Sequence, residues 1–169
     1  MALMAGDADT ARDHYATVLL DDTENLPTLL ALASLEARQG REDAMLNRLQ
    51  QAVGSHPNAL VPRLRLAAYY IKSGRPNKVA PLFESLQILQ QRSARALELT
   101  AMAQLAQRQH DSAVATLEQL MSLHPASANH HYLLAQATSA IGDQAKAREQ
   151  LLAALQADEN HLPTLISLT

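Results

Sequence analysis

The sequence predicts an all-α protein assembled from a repeated pair of helices, and three observations carry this prediction. The residues Leu26–Leu29 return unchanged as Leu162–Leu165, 136 residues later, which is four intervals of 34. A period of 34 residues is typical of a helix–turn–helix unit. Turn residues keep the same interval, with one arginine among four glycines, at Gly6, Gly40, Gly74, Arg108 and Gly142. Apolar residues make up 47% of the chain but aromatic residues only 3%, so the helix formers Leu and Ala dominate the apolar content.

Composition and charge exclude several classes of function. The formal net charge is −3 without a long run of one sign, so we expect no nucleic acid and no anionic membrane surface as partner. The absence of cysteine excludes disulfides, thiol catalysis and cysteine-ligated metals. No segment approaches the ~18–20 apolar residues of a membrane-spanning helix, so we expect no direct membrane insertion. Residues 1–7 lack the basic and apolar segments of a secretion signal, and any signal is expected outside this sequence.

The first half of the chain is predicted from its start and stop signals. Residues 1–5 are expected to end a helix before a turn at Gly6 and Asp7, and a second helix is predicted over residues 8–20. Asn25 is a candidate N-cap for a helix over residues 26–39, which Gly40 ends, and the next helix covers residues 42–53. The buried stripe of the helix over residues 8–20 is predicted to contain Ala11, Tyr15, Val18 and Leu19.

The third repeat is predicted to contain helices over residues 60–72 and 77–90. Val79, Phe83 and Leu86 would form the buried stripe of its second helix. Pro81 removes a backbone donor, so this helix should begin late, near Asn77, or bend in its first turn. Helices are expected in the fourth repeat over residues 94–107, with Ser93 as N-cap, and 111–123, and in the fifth over residues 128–141 and 144–157.

A last helix begins at Leu162, and no partner helix follows it in the sequence. Leu165, Ile166 and Leu168 would therefore be poorly covered, which favours end-to-end self-association. The whole chain is interpreted as one array: a partial repeat over residues 1–25, full repeats over 26–59, 60–93, 94–127 and 128–161, and a partial repeat over 162–169.

With this register the chain resembles the tetratricopeptide repeat family over nearly its full length. The resemblance rests on small and large apolar residues at the family positions: Leu66, Ala67, Tyr70 and Phe83 in repeat three; Ala113, Leu117 and Pro125 in repeat four; Leu134, Ala135, Ala147, Leu151 and Ala154 in repeat five. The family tryptophan is replaced by Leu29, Arg63, Leu97 and His131. The resemblance implies a right-handed α-α superhelix, a solenoid whose first helices line a concave groove for a protein or peptide partner.

A narrower resemblance concerns the phrases at residues 26–33, 62–70 and 133–137. They look like the tetratricopeptide repeat lipoproteins of bacterial PEP-CTERM (exosortase) systems. That resemblance implies a fragment of a longer array with an envelope or periplasmic location and a role in exopolysaccharide export. The alternatives are a cytoplasmic regulatory or chaperone-like adaptor and a self-assembling spacer module.

By the same resemblance, the partner-binding residues would lie on the groove side of the first helices. Ordinary packing against the next repeat is the alternative role for the apolar members, and solvated surface charge for the basic ones. The family's clamp for a C-terminal carboxylate uses paired lysines and asparagines that are absent here, so an apolar groove for a hydrophobic or amphipathic segment is favoured. The candidates are Leu30, Ser34, Leu64, Arg65, Ala68, Ile71, Arg95, Met102, Leu105, Tyr132 and Gln136.

No catalytic, cofactor or metal site is predicted. The adjacent pair His130 and His131 would point about 100° apart on a helix, and the seven histidines include no pair four residues apart. No phosphate-binding glycine loop, nucleophile elbow or zincin motif occurs. We therefore expect a noncatalytic interaction scaffold without a cofactor.

Overall fold

The structure, a computed structural model, describes residues 2–167, with the side chains of residues 2–7 and 89 left aside. Every regular element within residues 2–167 is helical. The α-helices are α1 Ala2–Asp21, α2 Leu26–Arg38, α3 Glu42–Ser55, α4 Leu60–Lys72, α5 Ala80–Glu84, α6 Ile88–Gln91, α7 Ala94–Ala106, α8 His110–Leu123, α9 Ala128–Ala140, α10 Gln144–Ala157 and α11 Leu162–Ser167; Pro76–Lys78 form a 3₁₀ turn. In this range no helix combines the length and apolar character needed to cross a membrane.

The chain divides into two compact units, residues 1–66 and 67–169, and the boundary falls inside α4. In the first unit α2 packs against both α1 and α3. Its core includes the fully buried Leu29, Leu32 and Leu49. Asn25 caps α2 as predicted, because its Oδ1 accepts the Thr28 N–H at 3.1 Å.

A buried carboxylate connects the first two helices of this unit. Glu36 of α2 is only 6% exposed. Its Oε1 lies 3.5 Å from Nε of Arg12 on α1, and its Oε2 pairs with Arg41. Both arginine side chains are partly exposed, so the ion pairs neutralise the buried acid while their cations remain hydrated.

Two predictions for the first helix are wrong. The turn expected at Gly6 and Asp7 does not exist, because α1 continues through both residues. A single glycine among alanines costs a helix about 1 kcal/mol, which is too little to end it without a second breaker. Val18 is 41% exposed, since α1 packs on α2 along a narrow stripe in which Ala11, Tyr15 and Leu19 are half-buried.

In the second unit, helices α7 to α11 pack consecutively along the chain. Ser93 caps α7 as predicted, and Ser127 forms a capping box with His130 at the start of α9. The shared core of α7, α8 and α9 consists of Leu97, Ala101, Ala113, Leu117, Leu120, Leu133, Leu134 and Ala137. Ala113, Leu117 and Leu134, on which the family resemblance partly rests, belong to this core.

The continuous helix predicted over residues 77–90 is wrong. The segment contains the 3₁₀ turn, then α5, then α6, with Ser85–Gln87 outside any helix. Pro81 lies in the first turn of α5, where its missing N–H costs little, so the helix restarts there instead of bending. The predicted apolar stripe is nevertheless buried, with Val79 0%, Phe83 6% and Leu86 5% exposed.

The turns predicted at 34-residue intervals are confirmed at every position after Gly6. Gly40, Gly74 and Gly142 adopt φ values of 70°, 70° and 89°, and Arg108 adopts φ 59° in the corresponding turn. The turn between α7 and α8 therefore keeps the left-handed conformation although a non-glycine residue occupies it.

Candidate functional site

The candidate site is a cavity of about 540 Å³ within the second unit. Helices α9 and α10 provide most of its lining, and the ends of α7, α8 and α11 complete it. The lining residues are Leu105, His110, Tyr132, Ala135, Gln136, Ser139, Ala140, Gln144, Ala147, Arg148, Leu151 and Ser167. Three of the predicted groove residues, Leu105, Tyr132 and Gln136, are therefore brought together here.

Helical spacing explains why these side chains share the cavity. Tyr132, Gln136 and Ser139 are separated by four and three residues on α9, and residues at these spacings lie on one face of a helix. Arg148 and Leu151 have the same three-residue spacing on α10. The antiparallel pair of helices thus forms two walls, with Tyr132 and Gln136 on one and Arg148 and Leu151 on the other.

Tyr132 is held in position from two sides. Nε2 of Gln136 donates a hydrogen bond to the Tyr132 hydroxyl at 2.9 Å. The ring of His161 meets the tyrosine ring edge to face, with 5.6 Å between centroids, and the Nδ1 of His161 is 2.7 Å from Oγ1 of Thr164. An aromatic ring fixed in this way loses little side-chain entropy when a ligand binds.

The other polar side chains that line the cavity differ in how many hydrogen bonds they already form. Nε2 of Gln144 donates to the backbone oxygen of Ser139 at 3.3 Å, and Oγ of Ser167 donates to the backbone oxygen of Pro163 at 2.9 Å. Arg148 is exposed and carries the only full charge among the described lining residues. Within residues 2–167 its guanidinium forms no hydrogen bond or ion pair, which leaves its donors available to a ligand.

Among the predicted groove residues of the first unit, Arg65 contacts Leu30 and Ser34. Leu30, Ser34 and Leu64 are half-buried, and Arg65 is exposed. Nη1 of Arg65 on α4 donates to the backbone oxygen of Leu30 at 2.9 Å and to Oγ of Ser34 at 2.7 Å. In this structure the arginine therefore links α4 to α2.

The other predicted groove residues of the second unit lie outside the cavity. Ala68 and Ile71 are half-buried on α4. Arg95 forms an ion pair with Glu98, with Nη1 2.6 Å from Oε2. Met102 is partly buried against the core of α7, α8 and α9, as is Leu105. Packing is thus a sufficient role for Met102, whereas Leu105 both packs and lines the cavity.

Sequence reasoning missed the contribution of α10 to the site. The groove was assigned to first helices only, but Gln144, Ala147, Arg148 and Leu151 of α10 line the cavity. Ala147 and Leu151 were available as a signal, because both are apolar residues at family positions of α10.

A second cavity, of about 550 Å³, accompanies the helix break in the same unit. It is lined by Phe83 and Leu97 at its base and by Ile88, which is 65% exposed. Glu84 and Arg92 lie on its rim. This cavity contains none of the predicted groove residues, and its opposite charges give no clear preference for a ligand.

Two histidines of the second unit have structural partners, whereas the buried Nδ1 of His110, which lines the cavity, has no hydrogen-bond partner among the described residues. Nδ1 of His131 lies 2.8 Å from Oε1 of Gln150, and Nε2 of His124 lies 2.8 Å from the backbone oxygen of Arg92. Burial lowers the pKa of His130, and the nearby His131 and His124 lower it further, while Glu98 opposes them. No cluster of three potential metal ligands occurs in the part of the chain that the structure describes.

Comparisons with known proteins agree with this architecture. Residues 95–127, which cover α7 from its second residue and all of α8, match the sequence model of the family described as Tetratricopeptide repeat. A sequence comparison with curated proteins finds no match.

Solved structures share the fold over most of the chain. A crystal structure of MamA has a TM-score of 0.79 at 20% identity, covering 92% of this chain and 91% of that chain. MamA from Desulfovibrio magneticus RS-1 has a TM-score of 0.78 at 16% identity, with 94% and 90% covered. YrrB, described as a TPR protein with an unusual peptide-binding site, has a TM-score of 0.79 at 14% identity, with 97% and 84% covered. The predicted fold class is confirmed: the described residues are all-α and share the fold of solved structures that include a tetratricopeptide repeat protein.

Proposed function

We propose that this tetratricopeptide repeat chain is a noncatalytic protein-interaction scaffold that binds an extended peptide or a helix in the cavity between α9 and α10. The observation that carries the proposal is the convergence of Leu105, Tyr132 and Gln136, three residues selected from sequence, on one cavity. Its volume of about 540 Å³ lies in the range of small-ligand pockets, so a few side chains of a partner fit but a folded domain does not.

The chemistry of the lining favours a peptide over a small polar metabolite. Leu105, Leu151 and the Tyr132 ring offer apolar contact, and tyrosine is enriched at recognition surfaces. The amide of Gln136 keeps its oxygen and one N–H free of the Tyr132 hydroxyl bond, so it can pair with a peptide backbone. The peptide-binding site attributed to YrrB provides a precedent on the same fold.

Selection from a random peptide display library, followed by titration calorimetry on the selected peptides, tests this proposal. We expect Leu151→Glu to abolish binding, because it places an unpaired charge against the apolar part of the cavity. Leu152→Glu is the matched control, since Leu152 is 50% exposed on the same helix and is not part of the lining.

Gln136→Trp provides a second variant that adds no charge. Gln136 is exposed, so the indole can fill the cavity without replacing a core residue. Circular dichroism reports whether each variant keeps its helices. Peptides that bind Leu151→Glu and Gln136→Trp as tightly as the unchanged protein would place binding elsewhere and refute the site.

We further propose that the scaffold serves an envelope export system, as its resemblance to PEP-CTERM lipoproteins implies. In this proposal the chain belongs to a longer, envelope-associated array that faces the periplasm and supports exopolysaccharide export. Fractionation of native cells that express a tagged full-length protein tests the location. Recovery in the envelope or periplasmic fraction supports it, whereas recovery in the cytoplasm supports the regulatory adaptor instead.

Self-assembly is a second candidate function, favoured by the exposure of α11. Leu162, Leu165 and Ile166 are 69%, 40% and 73% exposed. In contrast, Leu29, which is equivalent to Leu165, is fully buried on α2, a helix that packs against both α1 and α3. Leu168 lies outside the described residues. Sedimentation equilibrium over a wide concentration range should show association that Leu165→Glu with Ile166→Glu removes. A monomer at every concentration rejects this function.

A further inference from the structure

We propose that the cavity between α9 and α10 selects a peptide segment in which an apolar side chain lies next in sequence to an internal aspartate or glutamate, whose carboxylate pairs with Arg148. This inference rests on the proposed peptide-binding function and specifies the class of ligand. It also assigns Arg148 as the residue that determines specificity.

The charge distribution around the cavity supports an acidic ligand. Arg148 is the only fully charged residue among the described lining residues. Helices α9 and α11, which face it across the cavity, contain no acidic residue. Glu118 of α8 already binds Lys146, and Glu98 of α7 already binds Arg95 and Asn129. A ligand carboxylate would therefore meet a cation that no described acid has neutralised.

The acids on α10 itself do not change this conclusion. Glu149 follows Arg148 directly, and consecutive residues on a helix point about 100° apart. Asp143 accepts the backbone N–H of Lys146 as the N-cap of α10, at 3.0 Å. Neither residue lines the cavity. The field inside the cavity is consequently set by the guanidinium of Arg148.

The position of Arg148 beside an apolar contact explains why the apolar and the acidic side chain are expected to be neighbours in the peptide. Leu151 lies one helical turn beyond Arg148, and Cβ atoms at this spacing are about 5–6 Å apart. Neighbouring side chains of a peptide can thus engage both residues, one by apolar contact and the other through its carboxylate. A guanidinium offers paired N–H donors that match a carboxylate in geometry.

A side-chain carboxylate fits this arrangement better than a peptide C-terminus. Gln136, which can bind a peptide backbone, belongs to α9, whereas Arg148 belongs to α10. Packed helix axes are about 8–10 Å apart. A C-terminal carboxylate is part of the peptide backbone. To pair with it, Arg148 would have to lie beside Gln136, the residue that binds the backbone. An aspartate or glutamate side chain extends from the backbone and can reach the second wall.

Titration of ¹⁵N-labelled protein with short synthetic peptides tests the inference. The first probe is the blocked peptide acetyl-Gly-Ser-Leu-Asp-Ser-Gly-amide, and the second replaces its aspartate with asparagine. The third is acetyl-Gly-Ser-Leu with a free C-terminal carboxylate. We expect the aspartate peptide to bind about tenfold more tightly than the asparagine peptide, with chemical-shift changes centred on Tyr132, Gln136 and Arg148.

Two variants assign the preference to Arg148. Arg148→Gln should bind both blocked peptides with the affinity that the unchanged protein has for the asparagine peptide. Arg92→Gln removes another exposed arginine of the same unit outside this cavity and should keep the preference. Of the two blocked peptides, only the aspartate peptide should bind more weakly when salt is added, because salt partly screens its ion pair with Arg148.

Each alternative outcome is distinguishable. Equal binding of the two blocked peptides at the cavity overturns this inference but leaves the proposed function intact. Tighter binding of the free carboxylate peptide overturns the assignment to a side chain. If no probe shifts the cavity resonances, this ligand class is rejected; if display selection also yields no cavity-dependent peptide, the proposed function fails as well.

Discussion

The side-chain amide of Gln91 donates a hydrogen bond to the backbone oxygen of Leu86 at 2.8 Å. The same Nε2 lies 3.2 Å from the backbone oxygen of Phe83 and 3.4 Å from that of Glu84. These carbonyls belong to the end of α5 and the break after it, and the Phe83 oxygen also accepts the backbone N–H of Leu86 at 3.0 Å. Gln91 therefore stabilises the break, although it occupies the position at which repeats two and four have a proline.

Replacing Gln91 with leucine should destabilise the second unit by about 1–2 kcal/mol, because carbonyls in a partly buried turn lose their donor. Urea denaturation followed by circular dichroism measures the loss. Gln156→Leu is the control, since Gln156 is exposed on α10 and should change stability by less than about 0.5 kcal/mol. Equal stability of the two variants would show that the Gln91 hydrogen bonds make no net contribution to the free energy of unfolding.

Replacing Arg108 with glycine should stabilise the protein by about 0.5–1 kcal/mol. Arg108 has φ 59°, and a left-handed conformation costs a non-glycine residue about 1–2 kcal/mol. Glycine removes this strain but loses more entropy on folding, which reduces the gain. We expect a melting temperature about 1–4 °C higher. The reverse change, Gly142→Ala, should lower it, and a lower value for Arg108→Gly would contradict strain in this turn.

The stability of the capping box on α9 should depend on pH. Nδ1 of His130 accepts the Ser127 N–H at 3.3 Å, which requires an unprotonated nitrogen. Burial lowers the pKa of His130 below its ordinary value of 6.5, so the unfolded chain binds the proton more tightly. The stabilisation is therefore complete above about pH 6.5 and is lost as the pH falls through the folded-state pKa.

His130→Gln isolates this contribution from the other histidines. Glutamine at the same position can complete a capping box but does not titrate in this range. We expect the melting temperature of the unchanged protein to fall more steeply than that of the variant between about pH 7 and pH 5. Parallel curves for the two proteins would show that His130 has no part in the pH dependence.

Helix positions were predictable from the sequence wherever local signals agreed. Asn25 and Ser93 mark helix starts through their own side chains, and Gly40 marks a helix end through its conformation. The turn at Gly6 was wrongly predicted. The 34-residue interval places a turn there, but the local sequence continues as a helix.

The site was less predictable than the fold, since it depends on contacts between distant residues. The hydrogen bonds of Gln91 reach back five to eight residues to irregular backbone, and no periodic pattern encodes them. Tyr132 could be selected from its type and helix face. Arg148 could not, because an exposed arginine on a second helix looks like ordinary surface charge until the cavity beside it is known.

Arg65 should stabilise the fold through its hydrogen bond to Ser34. Measuring this contribution distinguishes a packing role of Arg65 from a ligand-binding role. Its Nη1 lies 2.7 Å from Ser34 Oγ and 2.9 Å from the Leu30 backbone oxygen. Arg65→Met keeps the apolar stem but removes the donors, and Ser34→Ala removes one acceptor. Because Arg65 is exposed, we expect a coupling free energy of only about 0.5–1 kcal/mol in the double-mutant cycle.

The cycle is measured by urea denaturation of the unchanged protein, both single variants and the double variant. Each variant is also titrated with the peptides obtained by display selection. A positive coupling free energy with unchanged peptide affinity assigns Arg65 to the link between α4 and α2. Zero coupling together with a loss of peptide affinity would instead assign Arg65 to a ligand-binding surface on the first unit. The arginine would then contact a partner and not Ser34.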